Sequence, residues 1–246
     1  TAIPASKIYA DAGIPGIAMA TAPAYTQQGF ATAFRSMTSD TQQGGVMGQW
    51  VVEKLGKNVV IIDDRTAYGQ GLADEFEKSV KAAGGKVVKR EFTNDKATDF
   101  TAILTTIKAK KPEVVFFGGM DAVAGPMLRQ MKALGLNVKL MGGDGICTAE
   151  LPKLAAGTLG DEQVFCAEAG GVDSGQKKGL EDFRARFKAF ANVDMQLYAP
   201  YTYDAVNVMV AAMVKAGSSD PVKYLPVLAK TEGYTGVTGT ISFDAK

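Results

Sequence analysis

Thr21, Tyr68 and Asp144 carry the side chains best suited to holding a small polar ligand, and each lies just after a short apolar run. Thr21 precedes Pro23; its hydroxyl and backbone N–H can serve a ligand, or the hydroxyl can close a turn or cap a helix. Tyr68 sits beside Gly69 between an apolar run and an amphipathic one. There a tyrosine can wall a pocket and donate a hydrogen bond, or pack half-buried. Asp144 stands in Gly142-Gly-Asp-Gly145, as a turn residue or as a carboxylate presented to a ligand cation. Asp63 and Asp64 offer an acid pair or two solvated charges at a strand end. The glycine pairs at 118–119 and 142–143 have a plain reading, which is to let the backbone leave a strand sharply.

Several chemistries are excluded. The chain has no histidine, so Ser-His-Asp and Cys-His catalysis and His-ligated zinc or haem are out of reach. There is no GxxxxGK[ST], no GxGxxG opening a helix after a strand, and no GxSxG elbow. Cys147 and Cys166 cannot close a zinc site alone; they are two buried thiols or one disulfide, and an even count permits either. With 27 basic and 26 acidic residues the chain lacks the positive field of a sequence-blind nucleic-acid binder. No apolar run approaches the roughly 18 residues a membrane helix needs.

The elements that must position these residues follow from hydrophobic patterning. The apolar block Val59-Val-Ile-Ile62 within 58–63 reads as a strand buried on both faces. Leu72, Phe76, Val80 and Ala83 recur at helical spacing through 69–83, and Gly84-Gly85 stops that helix. The cycle repeats with strands at 86–92, 113–117 and 138–141 and helices at 99–110 and 122–134. Upstream, 3–12 and 43–55 read as helices, and 16–20 and 30–36 as extended. Downstream come a strand at 164–167, helices at 179–191, 200–216 and 221–230, and a strand at 240–243. This alternation predicts an α/β protein with doubly wound parallel sheets. In such sheets ligands gather at the carboxyl ends of strands. That rule selects the loops 19–23, 63–69, 118–121 and 142–145. The first helix has no preceding strand and the last strand no successor, so the sequence is expected to be a truncated part of a longer chain.

These loops carry a resemblance. Thr-Ala-Ile-Pro-Ala-Ser at 1–6, Ala-Thr-Ala-Pro at 20–23, Phe-Arg-Ser at 34–36, Asp-Asp-Arg-Thr-Ala-Tyr-Gly-Gln-Gly at 63–71, Phe-Thr-Ala-Ile-Leu at 100–104 and Gly-Gly-Asp-Gly at 142–145 occur in order. Together they resemble the periplasmic leucine/isoleucine/valine-binding proteins of ABC transporters, of the type I periplasmic binding protein fold. The resemblance covers essentially the whole sequence. It implies two α/β lobes joined by a multi-crossing hinge, with the ligand in the cleft between them. Lobe one would take 1–37 and 168–240, and lobe two 38–167 and 241–246. The hinge strands would be 34–38 and 167–171, and the family's serine loop would end just before Thr1.

The resemblance also assigns roles. The Met19 carbonyl and the Thr21 hydroxyl would accept from the ligand ammonium, and the Thr21 N–H would donate to its carboxylate, with Ala20 between them in the same ligand-binding loop. Tyr68 would contact the ligand from lobe two. Asp144 stands where relatives usually have Glu, the counter-charge for the ammonium, and is one methylene shorter. Met120 stands where an aromatic often walls the side-chain pocket, which leaves that pocket apolar and soft. Asp144→Ala is expected to lower affinity with the unliganded thermal midpoint nearly unchanged. The implied protein is a monomeric periplasmic receptor. It needs no cofactor or metal, binds an amino acid, and hands it to a membrane ABC permease without making or breaking a bond. A ligand-sensing domain of a regulator is the alternative within the same fold. An enzyme would have to work with Asp63, Asp64, Asp144 and Tyr68 alone.

Overall fold

The computed structural model describes residues 2–168, 170–172 and 174–244. The chain forms two compact units, Thr1–Thr38 with Gly170–Lys246, and Ser39–Ala169. The first unit opens with α1 (Ala2–Asp11), β1 (Gly16–Ile17) and β2 (Ala33–Phe34). The second holds α2 (Asp40–Lys54), β3 (Asn58–Asp63), α3 (Ala67–Ala82), β4 (Lys86–Phe92), α4 (Thr101–Lys108), β5 (Val114–Gly118), α5 (Asp121–Ala133), β6 (Lys139–Gly142), α6 (Leu151–Leu154) and β7 (Val164–Cys166). The chain then returns to the first unit with α7 (Lys177–Ala191), α8 (Ala199–Ala216), α9 (Pro221–Leu228), β8 (Tyr234–Gly236) and β9 (Gly239–Ile241).

The second unit is a five-stranded sheet in the order β4-β3-β5-β6-β7, parallel throughout. Side chains alternate across a strand, so an unbroken apolar run feeds both faces. Val60, Ile62, Val115 and Phe117 face one core with Leu104, Ile107 and Leu128 of α4 and α5. Val59, Ile61, Val114 and Phe116 face the other with Met47, Val51, Leu72 and Phe76 of α2 and α3. Phe76 stacks on Phe116 at 3.9 Å between ring centroids. The strand order reverses on passing from β3 to β5. This is the switch point at whose carboxyl edge open α/β sheets take their ligands.

Two glycines set how closely α2 lies on α3. A Cβ on Gly44 would fall 2.7 Å from the Phe76 amide nitrogen, and one on Gly48 2.8 Å from that of Val80. Side chains there would hold the helices apart. Ser39 caps α2 by accepting from the Gln42 N–H at 3.4 Å, so the helix begins three residues before the position expected from its pattern.

The first unit has less sheet. Its strands β1 and β2 pair in parallel, and β8 and β9 form an antiparallel hairpin. The carboxylate of Asp204 on α8 holds that hairpin by accepting from the N–H groups of Val237 and Thr238 at 2.9 and 2.7 Å. Of the tail from 241, expected in lobe two, Ile241 and Phe243 instead pack in the first unit. Ile241 pairs with Tyr234 and joins the core of Phe34, Val208, Ala212 and Leu228. Phe243 tilts against Phe34 at 5.0 Å. The physical reason is the hairpin, whose three-residue return strand carries the tail back onto its own unit. Of the expected hinge strands, β2 ends at Phe34. The stretch 167–171 includes Ala169, which lies outside the described residues.

Candidate functional site

The site residues of the second unit converge at the carboxyl edge of its sheet. Asp144 follows β6 in a short 3-10 turn, Asp144–Ile146, and is only 2% exposed. The Tyr68 hydroxyl donates to Asp144 Oδ1 at 2.9 Å and accepts from the Gly145 N–H at 3.0 Å. The Gln43 amide donates from Nε2 to the same Oδ1 at 3.0 Å, and its Oε1 accepts from the Asp144 N–H at 3.2 Å. Burial, reinforced by the negative charge of Asp144, pushes the Tyr68 phenol well above its ordinary value. Tyr68 is therefore a neutral donor across the physiological range, and its single hydrogen goes to Asp144.

The Gly-Gly-Asp-Gly run is required by close approach rather than by an unusual turn. Gly143 has φ −86°, open to any residue. A Cβ there, however, would strike the Leu72 side chain and lie 2.9 Å from the Tyr68 hydroxyl. On Gly145 it would lie 2.7 Å from the Gly119 carbonyl and 2.9 Å from both the Met120 sulfur and the Tyr68 hydroxyl. The glycines thus let Tyr68 and the loop after β5 close around the Asp144 turn. Met120 precedes α5 in that loop and is 44% exposed, an apolar side chain at the rim of the cluster.

A disulfide joins Cys147 to Cys166, with their Cα atoms 5.5 Å apart. It ties the end of the Asp144 turn to β7, whose Cys166 already pairs with Gly142 on β6. The turn is anchored at both ends.

The acid-pair reading of Asp63 and Asp64 does not hold, because each is engaged elsewhere. Asp63 is buried and takes Arg90 on Oδ2 at 3.0 Å. Asp64 accepts from the Thr66 N–H and hydroxyl at 3.0 and 2.6 Å, shaping the turn into α3. Burial raises the Asp64 carboxyl, and the Thr66 hydrogen bonds oppose that rise. Among the described residues no group of three or more His, Cys, Asp or Glu is placed to hold a metal ion.

Met19, Ala20 and Thr21 belong to the first unit, following the carboxyl end of β1. Thr21 is 4% exposed, and Met19 and Ala20 are half-buried. The segment is held on both sides: the Ala18 N–H donates to the Phe34 carbonyl at 2.9 Å, and Arg35 Nη1 donates to the Ala22 carbonyl at 3.3 Å. Gln43 is the residue that the sequence reading did not single out. Its signal was positional, since Gln43, Met47 and Val51 recur every four residues on the buried face of α2. A polar residue on an apolar stripe is the informative exception.

The second unit is of the doubly wound open-sheet class, with a buried polar cluster at the sheet edge where such folds take their ligands. Residues 1–246 match the periplasmic binding protein family, and the chain belongs to it. That family consists of solute-binding proteins rather than enzymes. The chain is 36% identical over 248 residues to Leu/Ile/Val-binding protein homolog 1 of Brucella abortus (strain 2308), covering 99% of this chain and 65% of that protein. It is 32% identical over 246 residues to the leucine-, isoleucine-, valine-, threonine-, and alanine-binding protein of Pseudomonas aeruginosa, covering 99% and 64%. The chain thus spans about two thirds of the length of these relatives. Among solved structures it resembles the branched-chain amino acid transporter substrate binding protein LivJ of Streptococcus pneumoniae, in complex with isoleucine. The TM-score is 0.87 at 28% identity, over 98% of this chain and 68% of that one.

Proposed function

We propose that the chain belongs to an extracytoplasmic receptor that binds an aliphatic, branched-chain amino acid and delivers it to an ABC permease. The observation that carries this is the Asp144 carboxylate, buried at the sheet's switch point and aimed by two neutral donors, Tyr68 and Gln43. A carboxylate held in this way is suited to a compact cation such as an α-ammonium, because charge-assisted hydrogen bonds are short and directional. The exposed thioether of Met120 beside it suits an alkyl side chain, and its softness suits several related ones. The Met19 carbonyl and the Thr21 hydroxyl are assigned the rest of the ammonium, and the Thr21 N–H the ligand carboxylate. Both relatives are named for leucine, isoleucine and valine, and the Pseudomonas aeruginosa protein also for threonine and alanine, which supports the same substrate class.

No bond changes in this function. Recognition needs acceptors for one end of a zwitterion, donors for the other, and an apolar slot for the remainder. Pocket volume separates side chains weakly, by about 1–3 kcal/mol per methylene. Receptor work is done in the periplasm, by a monomer. The test is calorimetric titration of the full-length protein with leucine, isoleucine, valine and phenylalanine. Saturable one-to-one binding of the aliphatic ligands, recovered unchanged, is expected. Absence of heat with all of them, or conversion of the ligand, would overturn the proposal.

A further inference from the structure

We propose that Gln43 is a positioning residue of the ligand site, whose amide fixes the Asp144 carboxylate where it meets the ligand's ammonium. The inference rests on the amino acid reading above and goes beyond it, to a residue that does not itself carry the counter-charge.

One amide makes two bonds to one residue. Nε2 donates to Asp144 Oδ1 at 3.0 Å, and Oε1 accepts from the Asp144 N–H at 3.2 Å. The first bond holds the head of the side chain and the second its backbone. The carboxylate's rotamer and the turn that bears it are therefore fixed together. The pairing needs a donor and an acceptor on one planar fork, which among side chains only the amides supply. Asparagine would be one methylene short from the same helix position. Glutamate would lose the donor and set a second negative charge against Oδ1. Gln43 is 4% exposed and lies 101 residues from Asp144 in sequence. It is brought there by the close seating of α2 on α3 at Gly44 and Gly48. Tyr68 supplies the other donor to the same oxygen, from α3. Helices α2 and α3 thus aim a carboxylate that belongs to β6's loop.

The experiment is a cycle on the full-length protein, with leucine as the probe and calorimetry as the readout. Gln43→Met keeps the volume and removes both bonds. It is expected to weaken leucine binding about tenfold with Asp144 present, and about twofold or less in an Asp144→Asn background, where no charge remains to be aimed. Gln43→Glu, the closer match in size and polarity, is expected to weaken binding more than Gln43→Met does. A merely structural role predicts the reverse order of the two variants and equal losses in both backgrounds, and either result would overturn the proposal. If Gln43→Met does not fold, the comparison of Gln43→Glu in the two backgrounds decides. Failure of the wild-type protein to bind leucine, isoleucine or valine would remove the amino acid reading itself. Normal wild-type binding with an unaffected Gln43→Met would remove only the role of Gln43.

Discussion

Tyr68 and Asp144, 76 residues apart in the chain, share a hydrogen bond of 2.9 Å in which the phenol donates to Oδ1. The same hydroxyl accepts from the Gly145 N–H at 3.0 Å, so it closes the turn that carries its own acceptor. This reciprocity makes Tyr68 part of the apparatus that aims the carboxylate. Tyr68→Phe leaves the Gly145 N–H without that acceptor and Oδ1 with one donor fewer. Leucine affinity is expected to fall about tenfold and stability by about 1–2 kcal/mol, read by titration and by denaturant unfolding.

The same phenol predicts a dependence on alkaline pH. Burial, then the charge of Asp144, raises its folded value above the unfolded one, near 10. A raised value means that the folded state keeps its proton longer. The associated stability is whole below pH ~10 and is lost as pH climbs through the folded value. The thermal midpoint of the wild-type protein should therefore drop above pH ~10 more steeply than that of Tyr68→Phe. Parallel profiles would show that Tyr68 does not titrate as its surroundings require.

Burial also separates two probes of Asp144. Alanine removes the acceptor of two buried donors, Tyr68 and Gln43. Leaving each unsatisfied costs about 1–3 kcal/mol, so Asp144→Ala should lower the unliganded midpoint, contrary to the expectation from sequence. Asparagine keeps an oxygen for both donors and removes only the charge. Asp144→Asn should hold the midpoint nearly constant while leucine affinity falls by about 2 kcal/mol or more, roughly 30-fold.

The Cys147–Cys166 bond spans 19 residues of sequence. Closing a loop of that size is worth about 3 kcal/mol in the unfolded-chain picture. The double variant Cys147→Ser with Cys166→Ser should lose about that much stability in urea. It should also bind leucine more weakly, because the Asp144 turn keeps only its hydrogen-bonded anchors. Undiminished stability would mean that the bond contributes nothing to holding the turn.

Much of this was legible in the sequence where local pattern and burial coincide. The run 58–63 is a strand from Asn58 to Asp63, and the helical spacing of Leu72, Phe76 and Val80 marks the buried face of α3. Asp144 and Tyr68 were legible because strand ends in such a sheet gather ligands, and they do meet there. Three things were hidden because they are long-range. The strand β8 is only Tyr234–Gly236, too short for any period to register, and with it the destination of Ile241 and Phe243 was lost. Gln43 lies in a polar stretch, Asp40-Thr-Gln-Gln43, that gives no hint of a partner so distant. Gly142-Gly-Asp-Gly145 reads as a turn, whereas a side chain is forbidden at Gly143 by Leu72 and the Tyr68 hydroxyl, and at Gly145 by the Gly119 carbonyl, Met120 and the same hydroxyl.

The most direct measurement compares leucine with 4-methylpentanoate, the same molecule without its ammonium, against the full-length wild-type protein and Asp144→Asn. If Asp144 answers the ammonium, the wild-type protein should prefer leucine by about 100-fold or more, and the asparagine variant should retain only a small part of that preference. An equal preference in both proteins would mean that the charge of Asp144 plays no part in recognising the ligand.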